Sequence, residues 1–195
     1  MNIQAEKMTN QTYNRRFVTL GALSALGATA ACGNGVGGRG SAMIDARVDA
    51  TLAEMYRGYP NTRQLAEKAN GMLVMPLVTE AGLGFGGAYG RGALRINGAT
   101  VDYYSATQAT IGLQIGAQQY GHALFFMTQE ALRQFRTSAG WSVGADAEYA
   151  LNDQGGNLSA ETLTALDPVI ALVFGQSGLI VGATLEGTKY QRILP

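Results

Sequence analysis

His122 is the single histidine and Cys32 the single cysteine among 195 residues, so the inventory for nucleophilic or acid–base chemistry is short. One cysteine forms no internal disulfide and no Cys-based zinc cluster. His122 sits between Gly121 and the apolar run Ala123–Met127, a setting that makes it a core or edge histidine and not a general base. Carboxylate pairs such as Asp146/Glu148 fall in a polar stretch where a solvated surface is the ordinary outcome, and no His/carboxylate cluster has metal-ligand spacing. The chain is therefore expected to be a non-enzyme, with no catalytic residue, no metal site and no cofactor.

Gly82-Leu-Gly-Phe-Gly-Gly87 matches the dinucleotide fingerprint G-x-G-x-x-G, and Asp102 follows at a suitable distance. The fingerprint works only where the glycines open a helix whose N-terminus receives a pyrophosphate. Here they lead into a strand and an Asn97-Gly98 turn, so the nucleotide reading fails on context. Strand parity offers a better one. Gly82, Gly84, Gly86, Ala88, Gly90 and Gly92 share one face, and Leu83, Phe85 and Tyr89 share the other. A face nearly without side chains marks a close approach by another backbone or by a ligand. Gly84 and Gly86 are accordingly candidate ligand-facing positions, with internal packing of a tightly coiled sheet as the alternative.

The elements that carry these residues follow from periodicity. Ser41, as N-cap, opens a helix to about Tyr56, because Ile44, Val48, Leu52, Met55 and Tyr56 share one helical face. Asp45, Arg47, Asp49, Glu54 and Arg57 read as its solvated face. Gly58-Tyr59-Pro60-Asn61 ends it, and Thr62–Ala69 forms a second short helix with an Arg63/Glu67 pair four residues apart. The period then changes to two. Met72–Pro76, Gly82–Ile96, Thr100–Ser105, Thr110–Tyr120 and His122–Met127 read as strands, with Asn97-Gly98 as a hairpin turn. Ile111, Leu113, Ile115 and Ala117 alternate with a polar phase that includes Gln114 and Gln118. Thr128 caps a helix that turns Leu132 and Phe135 inward. Residues 141–167 carry no clear period. Ile170–Phe174 and Leu179–Leu185 read as strands joined by a Gly175–Gly178 turn, and Lys189–Ile193 as a short last strand. The fold class is thus α+β: an N-terminal helix pair packed on a mainly antiparallel, Gly-rich β-sheet coiled toward a barrel.

Residues 14–32 place Arg15 and Arg16 before an apolar, Ala/Leu/Gly-rich run closed by small residues, the layout of a signal peptide. The run Phe17–Ala31 is short for a membrane span. Arg15-Arg16 resembles a twin-arginine export signal, with the general secretory route as the alternative. Thr29-Ala30-Ala31-Cys32 resembles a lipobox, so Cys32 is the candidate lipidation site and the anchor by which acyl chains would hold the protein to a membrane. The expected organisation is a signal peptide over 1–31, a Gly-rich linker over 32–40 and one domain over 41–195. Localisation follows: exported, on the periplasmic side of the cell envelope. Formal net charge is zero. Without Glu6, Lys7, Arg15 and Arg16 it becomes about −2, which offers nucleic acid no basic face.

Several blocks, in order, resemble the SYLF domain family: Gly71-Met-Leu-Val-Met-Pro76, the glycine strand Gly82–Gly92, Tyr103-Tyr104-Ser105, Gly112-Leu-Gln-Ile-Gly-Ala-Gln118, Ala123–Met127, Gly140-Trp-Ser-Val-Gly144 and Phe174-Gly-Gln-Ser-Gly-Leu179. The resemblance runs from about Ile44 to the C-terminus. It implies the family fold and lipid binding without catalysis, the ligand being a membrane lipid. Phosphoinositides are bound by eukaryotic members and actin by yeast ones, whereas bacterial members are mostly exported proteins or lipoproteins. Arg57, Arg63 and Lys68, around the turn between the two N-terminal helices, are the basic residues placed to assist lipid binding. The competing expectation is a structural or protein-interaction module of the envelope with no lipid ligand.

Overall fold

The computed structural model of the chain describes residues 38–144, 149–152, 167–178 and 185–195. Helix α1 spans Arg39–Gly58 and α2 spans Asn61–Lys68. Two long strands follow, β1 over Gly71–Ile96 and β2 over Ala99–Phe126, then α3 over Gln129–Thr137. The shorter strands are β3 at Trp141–Ser142, β4 at Tyr149–Asn152, β5 at Val169–Gly178 and β6 at Lys189–Ile193. All six join one sheet, antiparallel except for the β4–β5 pair.

Helix α1 begins two residues before the sequence expectation. Gly38 occupies the N-cap position, and Ser41 is buried in the first turn, where its hydroxyl donates to the Gly38 carbonyl at 2.7 Å. Ile44, Val48 and Met55 are buried as the period requires, and Pro60 stops the helix by lacking an N–H. Thr128 caps α3 as expected, its hydroxyl accepting from the Ala131 amide at 3.1 Å.

The five strands expected between Met72 and Met127 are two. A straight strand of 26 residues would reach about 85 Å, far beyond a domain whose radius of gyration is about 15 Å, so β1 must bend. It does so at bulges between Met75 and Val78 and between Leu83 and Phe85, where the register with β2 shifts. Pro76 lies in the first bulge, the position in a paired strand that tolerates a missing donor. Gly84 sits in the second with φ of +79°. Asn97 (φ 51°) and Gly98 (φ 79°) make the two-residue hairpin turn with both central residues left-handed. Residues 175–178 continue β5 and are not a turn. The strand expected over Leu179–Leu185 falls, up to residue 184, outside the described residues.

The bends curl the sheet into a half-barrel, and the glycine face lines its inside. A Cβ on Gly90 would come 2.7 Å from Val78 and 2.8 Å from the Leu77 carbonyl oxygen, and one on Gly92 would overlap the Val74 carbonyl oxygen. The two halves of β1 therefore cross backbone to backbone, which only glycine permits. Alternation along the strands divides the core in two. Leu73, Met75, Leu94, Leu124 and Phe126 face inward with Leu132 and Phe135 of α3 and Trp141. Met72, Val74, Ala93, Ala123 and Phe125 face outward, where Ile44, Val48, Met55 and Leu65 of the helix pair cover them.

Candidate functional site

The outer row of β1 is covered by helices only at one end. Ala93 lies fully buried beneath α1, while further back along the strand Tyr89, Phe85 and Leu83 are 54%, 79% and 75% exposed. The bulge at Gly84 preserves this phase, so Leu83 and Phe85 both point out of the curl. Met43 on α1 and Leu77 at the first bulge are exposed as well. Met43, Leu77 and Tyr89 line a groove of about 200 Å³ between α1 and β1, together with Arg47 and Arg91. Leu77 also borders a second groove of about 400 Å³ along the same flank of α1, toward Met55, Tyr120 and Phe174.

The electrostatics of α1 differ on its two flanks. Asp45, expected on a solvated face, accepts hydrogen bonds from the Thr100 hydroxyl at 2.6 Å and the Tyr103 hydroxyl at 2.7 Å. Arg95 bridges Asp45 at 3.6 Å and Asp49 at 2.6 Å, and also donates to the Gly98 carbonyl. Two of the helix's three acids are thus consumed in clasping it to the hairpin. Buried against that clasp, the Tyr103 hydroxyl has its pKa raised by desolvation first and by the Asp45 hydrogen bond second. On the other flank Arg47 and Arg91 have no carboxylate partner among the described residues, whereas Arg133, Arg136 and Arg192 each have one.

The residues singled out from sequence are not gathered into one place. Arg57, Arg63 and Lys68 are exposed at the ends of α1 and α2, and Arg63 lies 4.7 Å from the centroid of the Tyr56 ring. Arg63 lines a groove that also carries Asp49, Glu67 and Arg95, so its two acids and two bases balance and it offers an anion no net attraction. Gly84 faces open space, where an added Cβ would meet no atom within 4 Å, so its requirement is conformational and not the close packing expected there. Gly86 does take part in a close approach: a Cβ on Gly82 would fall 2.7 Å from its Cα. Cys32, Arg15 and Arg16 lie outside the described residues, as do Asp146 and Glu148. Leu83, Phe85 and Tyr89 were legible as one parity row. Arg47 and Arg91 carried no signal, being 44 positions apart on a helix and a strand.

Inside the half-barrel the polar phase of β2 faces inward near its middle. Gln118 is buried and donates to Glu80 at 2.6 Å, while Ala117 is exposed, the reverse of the expected phase. His122 is fully buried, its Nε2 2.8 Å from the Tyr190 hydroxyl and its Nδ1 without a partner among the described residues. Burial pushes the His122 imidazole down to about 3, and burial, with Glu80 as the lesser cause, pushes the Tyr120 phenol up to about 12. Buried in this way, and with no carboxylate beside it among the described residues, His122 is poorly placed to act as a general base.

Among the described residues no group of three His, Cys, Asp or Glu side chains is placed to hold a metal ion, and no helix is long and apolar enough to cross a membrane. Residues 107–192, comprising most of β2, α3 and the short strands, match the family model Ysc84, described as Las17-binding protein actin regulator. No curated protein matches the chain.

Proposed function

Because the chain belongs to the SYLF domain family, a family of lipid-binding and actin-regulating domains, we propose that it is a non-catalytic lipid-binding module exported to the bacterial cell envelope. A membrane lipid is its ligand, and acyl chains on Cys32 anchor it on the periplasmic side after export through Arg15-Arg16. The observation that carries the lipid reading is the pair Leu83 and Phe85, which hold large apolar side chains 75% and 79% in solvent at the bend of β1. Neither contributes to the core, and exposed apolar groups grouped on one surface mark a contact with lipid or protein.

A second reading, a structural or protein-interaction module of the envelope, draws on Gly90 and Gly92, whose face packs internally and leaves no room for a ligand there. Flotation of the full chain carrying Cys32→Ala with phosphatidylcholine vesicles separates the two. Binding that survives loss of the acylation site supports the lipid reading. Complete failure to float both with phosphatidylcholine vesicles and with vesicles that contain phosphatidylglycerol leaves the domain without a lipid function. Membrane fractionation of the parent chain at high salt tests the anchor itself: Cys32→Ala should lose the lipid-dependent mass increment.

A further inference from the structure

We propose that the groove between α1 and β1 is the membrane-facing surface and that it selects anionic phospholipid, with Arg47 and Arg91 holding headgroup phosphates while Leu83, Phe85 and Tyr89 enter the acyl region. The inference rests on the lipid reading above and adds to it the surface, the orientation and the headgroup chemistry.

Three observations converge on this surface. The first is unspent charge: Arg47 and Arg91 line one groove, and no carboxylate pairs with either among the described residues. Glu80, the acid nearest along β1, is buried and faces Gln118 on the inside of the curl, so it does not compensate them. A guanidinium pair of this kind complements phosphate bidentately. The second is the form of the apolar row. Leu83 and Phe85 project from a strand bend with three-quarters or more of their surface free. A fluid acyl layer accepts projecting side chains without matching their shape, whereas a protein partner must supply a cavity for each. Tyr89 lies between them and the arginines, with the amphipathic ring suited to the headgroup boundary.

The third is the placement of the acids of α1. Asp45 and Asp49 are occupied by Arg95 on the opposite flank, and Glu54 lines the second groove and not the one that holds Arg47 and Arg91.

The test uses the full chain with Cys32→Ala and vesicles of phosphatidylcholine alone or mixed with phosphatidylglycerol. Each juxtamembrane basic residue changes binding to an anionic surface about fivefold. Arg47→Gln with Arg91→Gln should therefore weaken binding to the mixed vesicles about 30-fold and leave binding to phosphatidylcholine unchanged. Arg57→Ala, Arg63→Ala and Lys68→Ala together should change either by less. A depth probe covers contributions from the leader that are common to all variants. Trp141 is the one tryptophan and is buried, so Phe85→Trp adds a reporter against a shielded background. Brominated acyl chains should quench the added fluorescence, and Val101→Trp, at an exposed site on the hairpin away from the groove, should not be quenched.

Inorganic phosphate at millimolar excess should not displace the protein, since the arginines act with the apolar row and not alone. Several outcomes overturn the proposal while leaving lipid binding intact: unchanged affinity of the arginine variant for mixed vesicles, equal quenching at positions 85 and 101, or loss confined to the Arg57/Arg63/Lys68 variant. A blue shift of the Phe85→Trp reporter that appears without vesicles and rises with protein concentration would assign the surface to a second copy of the chain. Failure of the Cys32→Ala parent to bind any vesicle removes the lipid reading itself, and this inference with it.

Discussion

Lowering the pH should unfold this domain through His122 before its carboxylates dominate. The unfolded imidazole takes a proton near 6.5, whereas burial delays protonation in the folded chain to about 3. Between those values the unfolded state binds more protons, so stability is complete above about 6.5 and falls as the pH drops. The difference is worth about 2 kcal/mol at pH 5 and about 3 kcal/mol at pH 4, with a ceiling of roughly 5 kcal/mol below pH 3. Against a usual total of about 5–15 kcal/mol, that is enough to shift the midpoint visibly. Urea unfolding of the parent and of His122→Gln, followed by circular dichroism from pH 7 to pH 4, isolates this contribution because the carboxylates are common to both. The variant is less stable at pH 7, since it disturbs the contact with Tyr190, but its deficit should shrink by about 2 kcal/mol on going to pH 5. A deficit that stays constant across that range would refute the reasoning, because it would mean that the folded imidazole protonates as freely as the unfolded one.

Glycine substitutions separate conformation from packing. Gly84→Ala should cost about 1–2 kcal/mol, from its left-handed backbone alone, and Gly84→Val more, because a β-branched side chain is strained at positive φ even where no atom lies within 4 Å of the added carbon. Gly92→Ala, which drives a methyl into the Val74 carbonyl, should exceed about 3 kcal/mol in the same urea experiment or abolish folding. Asp45→Ala strips the buried Tyr103 hydroxyl of its acceptor and should cost about 2–3 kcal/mol, with Asp45→Asn in between; a loss under about 0.5 kcal/mol would mean that solvent replaces the carboxylate.

Local chemistry made some elements legible and long-range pairing hid others. The Asn97-Gly98 turn, the Thr128 cap and the Ile44/Val48/Met55 stripe each depend on residues within a few positions of one another, and each stands where periodicity puts it. Pro76 read as the end of one strand and Gly82 as the start of the next, because proline usually interrupts a paired strand. Here the two bulges bend β1 without ending it, as the uninterrupted partner β2 shows. Asp45 read as solvated because its partners Arg95, Thr100 and Tyr103 lie about fifty residues further on. The same distance hid the groove. Parity grouped Leu83, Phe85 and Tyr89 on one face, but parity is silent on whether that face meets a helix, the core or solvent. Only the end of helical cover after Ala93 decides it.

The half-barrel is patterned in reverse near its bend. Glu80, Gln118 and His122 are inside, where each polar group demands a partner, while Leu83, Phe85 and Tyr89 are outside, where each gains nothing from folding. Exchanging the two phases would give an ordinary amphipathic sheet, so folding does not account for the arrangement. The inner polar groups share hydrogen bonds that fix one curl of the strand, and that curl turns the apolar row outward beside α1. The Asp45–Arg95 clasp then locks α1 onto the hairpin, holding Arg47 and Arg91 across one groove. Interior polarity and exterior apolarity are in this sense one device, in which the first sets the geometry that leaves the second exposed beside Arg47 and Arg91.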